Sequence, residues 1–232
     1  MIKKLSLVLA FGLAVTLPSA YATLLVPGTP ATAPDVFATG IGAGSTLLAS
    51  LTDQPIIFPT GGGAPPADFS ATYSAWVYRD PVANLACLTG GCLDFVYQVT
   101  NTSDVTGLTP GVMERITASN FGNYITDVGY QPVTGDVAPL TVDRSISGTA
   151  GPVIGWNFPG VGEITGGQTT DLLIVETNAI YYANGTISAQ NGTTGDGVAF
   201  EPSVPEPMSM SLLGGGLALL GLARIRRAAK KS

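Results

Sequence analysis

The chain has 232 residues, with 16 acidic and 10 basic residues, two cysteines and no histidine. All 16 acidic residues lie between Asp35 and Glu206, where the basic residues are Arg79, Arg115 and Arg144, so this stretch has a net charge of −13. Such a charge argues against nucleic acid as a partner, because nucleic-acid binding requires clustered cations. The absence of histidine excludes the usual serine and cysteine catalytic arrangements, which need an imidazole base.

The first 22 residues have the organisation of a secretory signal peptide. Lys3 and Lys4 precede an apolar run of 13 residues, Leu5 to Leu17, and Ala20 and Ala22 occupy the small-residue positions that signal peptidase recognises. A helix of this length spans about 20 Å, which is too short to cross a hydrocarbon core of about 30 Å. We therefore expect cleavage after Ala22 rather than a permanent anchor.

The part of the chain after the signal has the composition of β-structure, with frequent Gly and Pro between stretches rich in Thr, Val, Tyr and Ile. Residues 23–66 form a Gly- and Pro-rich segment with short strands expected at Ser45–Leu51 and Pro55–Phe58, and with a loop at Gly61–Pro66. Residues 67–203 form the expected body. The fold class predicted from this pattern is all-β, with eight to eleven short strands in an antiparallel sandwich.

Within the body, Phe69–Arg79 and Leu93–Asn101 alternate between apolar and polar residues and predict two strands of one hairpin. The continuous apolar run Leu172–Val175 predicts a central strand. Asn184-Gly185 and Asn191-Gly192 are typical of hairpin turns, since Asn-Gly tolerates positive φ. The remaining predicted strands are Val112–Ala118, Thr126–Gln131, Thr141–Ser147, Val153–Phe158, Asp171–Thr177, Ile180–Tyr182, Thr186–Gln190 and Val198–Phe200.

Cys87 and Cys92 flank a four-residue stretch that contains two glycines. Behind a signal peptide the compartment is oxidising, so an even pair of cysteines favours a disulfide that fixes the connection between the two hairpin strands. The alternative is a metal or redox site. Zinc prefers four ligands, and redox pairs usually have the spacing Cys-x-x-Cys, so both are weaker interpretations.

Candidate catalytic groups are limited to carboxylates. Asp127, Asp136, Asp143 and Glu114 are available for the paired-carboxylate chemistry of glycoside hydrolysis, but in so acidic a chain we expect each of them on the solvated surface. A calcium site near Asn191 to Asp196 is a further, weaker alternative, because no spacing there matches a known calcium loop. The prediction is a protein that is not an enzyme and has no cofactor, no bound metal and no catalytic residues.

Four large aromatic residues are candidates for stacking on sugar rings: Trp76, Trp156, Tyr181 and Tyr182. Trp156 is in phase with Ile154 and Phe158, which predicts a core position. Trp76 lies opposite the apolar face of its strand, so it is either exposed or buried between two sheets, and we expect the buried position.

The C-terminus has three parts in sequence. Pro205, Glu206 and Pro207 lead into an apolar run of 16 residues, 208–223, and the chain then continues with a basic tail. A helix of 16 residues is about 24 Å long, just short enough to make membrane insertion marginal. Basic residues after the run act as a stop-transfer signal under the positive-inside rule. They are Arg224, Arg226, Arg227, Lys230 and Lys231.

This order of motif, short apolar helix and arginine cluster resembles the PEP-CTERM sorting signal of Gram-negative bacteria. The resemblance covers about the last 29 residues and implies that Pro205, Glu206 and Pro207 are recognised by a membrane-embedded exosortase, which removes the helix and tail. It also implies delivery to the cell surface or extracellular matrix of a bacterium that makes exopolysaccharide. The alternative is a plain C-terminal anchor. The strands at 69–80, 93–101 and 169–192 also resemble the β-sandwich bodies that precede this signal.

The leading prediction is therefore an exported surface or biofilm-matrix protein, anchored transiently in the inner membrane, with signal peptidase and an exosortase as processing partners. The first alternative is a carbohydrate-binding module for the exopolysaccharide. A carboxylate-dependent hydrolase and a permanently anchored membrane protein are the other two hypotheses.

Overall fold

The computed structural model of the protein describes residues 24–28, 30–37, 41, 44–58, 69–103, 111–146 and 153–204. Within these ranges the chain folds into two β-sheets that enclose an apolar core, which confirms the all-β prediction. The strands are β1 (Asp35–Val36), β2 (Thr46–Pro55), β3 (Ala71–Asp80), β4 (Cys92–Asn101), β5 (Arg115–Ala118), β6 (Thr126–Gln131), β7 (Thr141–Arg144), β8 (Ile154–Asn157), β9 (Leu172–Thr177), β10 (Tyr181–Asn191) and β11 (Thr193–Ser203).

The two sheets have interleaved strand orders. The six-stranded sheet runs β1-β6-β9-β4-β3-β2, and the five-stranded sheet runs β11-β10-β5-β8-β7. Neighbouring strands are antiparallel except for β1, which pairs in parallel with β6. The two-residue strand β1 and the ten-residue strand β2 belong to the same sheet as the body and lie at its two edges.

The hairpin predicted from alternation is present as β3 and β4, which pair over their whole length from Ala71–Asn101 to Asp80–Cys92. Along β3 the residues alternate between buried and half-buried, because one face packs on the core. The predicted central strand is β9, which lies between β6 and β4, so its apolar run is covered on both sides by neighbouring strands.

Three aromatic side chains of the core join the two sheets through their polar atoms. The Tyr97 hydroxyl of β4 donates to the carbonyl of Phe200 in β11 at 2.6 Å, and the Tyr73 hydroxyl of β3 donates to the carbonyl of Val198. Trp156 of β8 donates its indole N–H to the carbonyl of Gly129 in β6 at 3.2 Å. Each ring therefore buries its apolar body and still satisfies its polar atom, as buried Tyr and Trp require.

The turn predicted at Asn184-Gly185 is wrong. Both residues lie within β10, where they pair with Phe200 and Ala199 of β11. A Cβ on Gly185 would come within 2.4 Å of the Glu201 carboxylate, so glycine serves here to make room for a cross-strand side chain. The turn predicted at Asn191-Gly192 is confirmed, with Gly192 at φ +65° between β10 and β11. The three short strands predicted from 180 to 200 are therefore parts of two long ones.

The early segment also differs from the prediction. The strand expected at Ser45–Leu51 extends to Pro55 as β2. The strand expected at Pro55–Phe58 does not continue beyond that end, and only an isolated bridge joins Ile57 to Asp196. The strands expected at Val112–Ala118, Thr141–Ser147 and Val153–Phe158 are present but shorter.

The predicted disulfide joins Cys87 to Cys92, with their Cα atoms 6.1 Å apart. Cys92 is the first residue of β4, and Cys87 lies in the connection from β3, so the bond closes the end of this hairpin as expected. Gly90 has φ +69°, and a Cβ there would come within 2.3 Å of the Pro81 carbonyl, so the tight connection requires glycine.

The signal peptide, the loop at Gly61–Pro66, the motif Pro205–Pro207, the apolar run 208–223 and the basic tail lie outside the described residues. Among the residues that the structure does describe, no helix is long and apolar enough to cross a membrane.

Candidate functional site

Three carboxyl groups lie side by side on the outer face of the six-stranded sheet. Asp94 of β4 is directly opposite Glu176 of β9, and Glu176 is directly opposite Asp127 of β6. Residues in register on adjacent antiparallel strands have Cβ atoms about 4.5–5.5 Å apart on the same face. We refer to Asp94, Glu176 and Asp127 as the acidic row.

Burial makes the acidic row electrostatically unusual. Asp94 is 1% exposed and Asp127 is 0% exposed, whereas Glu176 is half-buried. Burial raises the pKa of Asp94 to about 8, with smaller contributions from the negative charges of Glu176 and Asp80. Burial also raises the pKa of Glu176 to about 7, aided by Asp80 and Asp35. The protein therefore holds these groups at or near their protonated forms at neutral pH.

Asp127 has the most crowded surroundings of the three. Its pKa is raised to about 8, first by burial and then by a hydrogen bond with the carboxyl group of Asp35 and by the charges of Asp35 and Glu176. The backbone N–H of Val128 opposes this rise. Apart from the contacts with Asp35 and with the backbone N–H of Val128, neither buried oxygen of Asp127 accepts a hydrogen bond. Oδ1 of Asp94 is also buried and accepts none.

The acidic row contains no cation. Among the described residues the single ion pair is between Arg115 and Asp143 on the other sheet. Carboxylate oxygens are the ligands that Ca²⁺ and Mg²⁺ prefer. Within the described part of the chain, however, no three His, Cys, Asp or Glu side chains are grouped closely enough to hold a metal ion.

Two aromatic side chains lie on the same outer face as the acidic row. Tyr78 of β3 is opposite Asp94 and extends the line of the row, and Trp76 is opposite Val96, two residues away along the same strand. Both are half-buried. The expectation of a core position for Trp76 is therefore wrong, because its strand alternates and the core receives the residues on either side, Ala75 and Val77. We call Trp76 and Tyr78 the aromatic pair.

The other predicted aromatic positions are divided between core and surface. Trp156 is fully buried, as expected from its phase. Tyr181 and Tyr182 at the start of β10 are 48% and 38% exposed. The ring of Tyr182 packs edge-on against Phe200 at 5.8 Å, so part of its surface is already used.

A cleft of about 410 Å³ opens between the edges of the two sheets, near the end of β2. Its lining mixes apolar and hydrogen-bonding side chains, which suits a small polar ligand. The lining residues are Gln54, Pro55, Ile57, Tyr73, Thr186, Asp196, Gly197 and Val198.

The four carboxylates considered from sequence are not brought together. Asp127 belongs to the acidic row, so its predicted place on the solvated surface is wrong: its strand lies within the sheet and its side chain is covered. Asp143 is on the five-stranded sheet and accepts bonds from Arg115 at 2.5 and 2.7 Å. Asp136 accepts a bond from Gln98 at 3.0 Å, and Glu114 is exposed.

Sequence reasoning missed Asp94 and Glu176. Each lies at a polar position of a strand that was predicted correctly. The alternation of side chains along a strand could therefore have predicted that both point outward. The register that aligns them with Asp127 could not be predicted, because it joins strands distant in sequence. Asp94 and Asp127 are almost fully shielded from solvent, so a substrate has no direct access to either carboxyl group.

Comparison of the chain with protein-family models, with curated proteins and with solved structures finds no match.

Proposed function

We propose that this chain is an exported bacterial surface or matrix protein, without catalytic activity, that an exosortase sorts and processes through its C-terminal motif. The observation that carries the proposal is the disulfide between Cys87 and Cys92, because disulfides persist in oxidising compartments. The signal-peptide pattern before residue 23 and the ordered motif, apolar run and basic tail after Val204 support it. The high negative charge of the body favours a well-solvated protein that resists self-association.

The test is the intact mass of the protein produced in its native host, together with the cell fraction that contains it. We expect a mature chain that begins at Thr23, ends close to Pro207 and is found at the surface or outside the cell. Replacing Glu206 by Ala should leave the apolar run attached and retain the protein in the inner membrane. Glu114→Ala, at an exposed position of the body, is the matched control and should be processed normally.

Two results would contradict this proposal. A wild-type chain that ends at Ser232 in the inner-membrane fraction would identify a plain, permanent anchor. Identical processing of the Glu206→Ala and wild-type chains would show that the motif is not recognised.

We further propose that the body binds the polysaccharide of the matrix through the aromatic pair. The observation that favours this role is the half-buried position of Trp76 on the outer face, beside the polar side chains of Ser74 and Gln98. Partly exposed aromatic rings offer apolar faces for sugar rings, and neighbouring polar groups supply hydrogen bonds.

Affinity electrophoresis in gels that contain the host's exopolysaccharide measures this binding. Trp76→Ala should lower the affinity at least about fivefold, which corresponds to about 1 kcal/mol. Tyr182→Ala removes an exposed aromatic ring from the other sheet and should leave the affinity unchanged. Equal retardation of both variants and the wild type would eliminate the aromatic pair as a binding site.

A further inference from the structure

Five large apolar side chains are exposed at one end of the sandwich. Val82, Leu85 and Leu88 lie in the connection from β3 to β4, Ile125 precedes β6, and Ile180 precedes β10. Each of them is between 46% and 81% exposed. Single exposed apolar residues are ordinary on protein surfaces, but a group of them on one surface marks an interaction site. We call these five residues the apolar end.

Hydrogen bonds join the three connections that carry the apolar end. Arg79 donates to the carbonyls of Gly91 and Ile180 at 3.0 and 3.4 Å, so the connection after β3 lies against the one before β10. The backbone N–H of Ile125 donates to the side-chain oxygen of Asn178 at 3.0 Å. The five side chains therefore belong to one end of the body, although they are far apart in the chain.

The connection that carries Leu88 is held in shape by its own contacts. Leu88 follows Cys87, whose disulfide to Cys92 closes the loop around it. Oδ1 of Asp80 accepts a hydrogen bond from the backbone N–H of Val82 at 2.8 Å. Leu88 is nevertheless 81% exposed, more than any other large apolar side chain that the structure describes. Because the loop is fixed, this side chain cannot turn into the core and remains available to a partner.

The charges of the described residues separate the two ends of the sandwich. Burial raises the pKa of Asp94 to about 8 and that of Glu176 to about 7, so the acidic row, which lies close to the apolar end, carries little negative charge at neutral pH. The exposed carboxyl groups of the described residues lie in the other half of the sandwich, and they are Asp53, Glu114 and Asp196. The apolar end therefore has little charge to oppose its contact with lipid.

The chain leaves the sandwich at the apolar end. β11 ends at Ser203, which pairs with Tyr181, the residue directly after Ile180, and the next residue, Val204, is 67% exposed. The apolar run begins at residue 208, four residues after Val204. Four residues of fully extended chain reach at most about 14 Å. A bilayer that holds the run therefore lies close to this end of the body.

We infer that the apolar end lies on the bilayer surface while the chain is anchored by its C-terminal run, with Leu85, Leu88 and Ile180 in contact with lipid. Apolar side chains at such a surface enter the boundary between headgroups and acyl chains, to a depth of about 5–10 Å. The inference rests on the proposed function, because the run 208–223 must first be inserted in the membrane. It adds a fixed orientation, in which the exposed carboxyl groups point away from the bilayer.

A second copy of the chain is the competing occupant of the apolar end. The net charge of −13 between Asp35 and Glu206 makes two bodies repel each other. The short connection to the run holds the apolar end near lipid at all times. Both considerations favour the bilayer, and the negative body favours neutral lipids such as phosphatidylcholine over anionic ones.

Fluorescence quenching by brominated phosphatidylcholine measures the contact with lipid. The full-length gene with Glu206→Ala is exported in its native host so that the tail is retained, and the purified chain is reconstituted into phosphatidylcholine vesicles with or without bromine on the acyl chains. Leu88→Trp places an indole at the apolar end. Leu140→Trp is the matched control, because Leu140 is 59% exposed and precedes β7 at the opposite end. The chain without an added tryptophan gives the signal of Trp76 and Trp156, which is subtracted.

We expect the added emission of Leu88→Trp to fall by at least about half in brominated vesicles, because an indole about 5–10 Å below the surface meets the upper acyl chains. Ile180→Trp should be quenched in the same way. Leu140→Trp should keep its emission. All three positions are exposed, so the substitutions leave the core intact.

Four results would contradict the inference, and they are distinguishable. A chain that alkaline carbonate removes from the vesicles would refute the anchored precursor and, with it, the proposed function. A firmly inserted chain whose Leu88→Trp emission is not quenched would refute the lipid contact alone. Equal quenching of the Leu88→Trp and Leu140→Trp chains would show that the body has no fixed orientation. An inserted dimer, with Leu88→Trp emission shifted to the blue but insensitive to bromine, would assign the apolar end to a second copy.

Discussion

Asp143 and Asp94 both lie on an outer face of the sandwich, one on each sheet, but their carboxyl groups have opposite environments. Burial alone would raise the pKa of Asp143, yet hydrogen bonds from Arg115 and Asn157 and the charge of Arg115 outweigh it and lower the pKa. Asp94 has burial and two acidic neighbours, and its pKa rises to about 8. The residue type is the same, so the difference comes from what the neighbouring strands contribute.

On the five-stranded sheet the pairing depends on a small residue. Arg115 of β5 crosses over Gly155 of β8 to reach Asp143 of β7, and a Cβ on Gly155 would lie 2.2 Å from the guanidinium. On the six-stranded sheet the strands β4, β9 and β6 each contribute an acid to the same row. The side chain on the neighbouring strand therefore decides whether the charged or the neutral form of a buried carboxyl group is favoured.

The largest expected effect comes from removing the charge of Asp94. Because its folded pKa of about 8 exceeds the ordinary value of 3.8, the folded state binds the proton more tightly, and this contribution to stability is lost as pH rises from about 4 to about 8. Asp94→Asn should be neutral at pH 3 and should stabilise the protein by about 3 kcal/mol at pH 9, since one pKa unit corresponds to about 1.4 kcal/mol and Glu176 shares the shift.

Urea denaturation at the two pH values measures this difference. Asp53→Asn is the exposed control and should show no pH-dependent change. An Asp94→Asn variant that is less stable than the wild type at pH 9 would mean that the charged carboxylate has a partner, and the contrast between the sheets would disappear.

The second-largest effect on stability comes from removing Arg115, the cation of the ion pair on the five-stranded sheet. Arg115→Met leaves Asp143 partly buried without its ion pair and should destabilise the protein by about 2 kcal/mol at pH 7, with a smaller loss at pH 3, where the carboxylate is protonated in part. Arg79→Met removes an exposed arginine as a control. Equal urea midpoints for the Arg115 and Arg79 variants would show that the pairing contributes nothing.

The smallest effect separates geometry from charge. Gly155→Ala keeps both Arg115 and Asp143 but places a methyl group where the guanidinium lies, so we expect a loss of about 1 kcal/mol in the free energy of unfolding. Gly162→Ala is the matched control, because no atom lies within 4 Å of its added methyl group. Combined with Arg115→Met, the Gly155→Ala change should add almost nothing; full additivity would contradict the overlap.

The strands that carry a local signal were predictable from sequence. The alternation of β3 and β4 reflects burial of one face, and the apolar run of β9 reflects burial of both. In each strand the residue types themselves show which face is buried. The disulfide was equally accessible, because the two cysteines are close in the chain. The turn predicted at Asn184-Gly185 was wrong because glycine occurs for more than one reason. Here it leaves room for the Glu201 side chain rather than allowing a turn.

The acidic row was out of reach for a different reason. Its three members are separated by more than 30 residues of chain, and a shift of one residue in either strand pairing would turn one of them into the core. Only the tertiary register places Glu176 between Asp94 and Asp127. The burial that raises their pKa values is likewise a property of the assembled sheet, so composition alone favoured a solvated surface.

The strand order of the six-stranded sheet also sets the course of its folding. The two strands nearest the N-terminus, β1 and β2, form its opposite edges, and β1 pairs with β6, which lies about 90 residues later in the chain. A chain that emerges N-terminus first therefore carries β1 without a partner until β6, β9 and β4 have assembled. Such long-range pairing implies slow folding, with the β3–β4 hairpin as a local starting point and the N-terminal edge completed last.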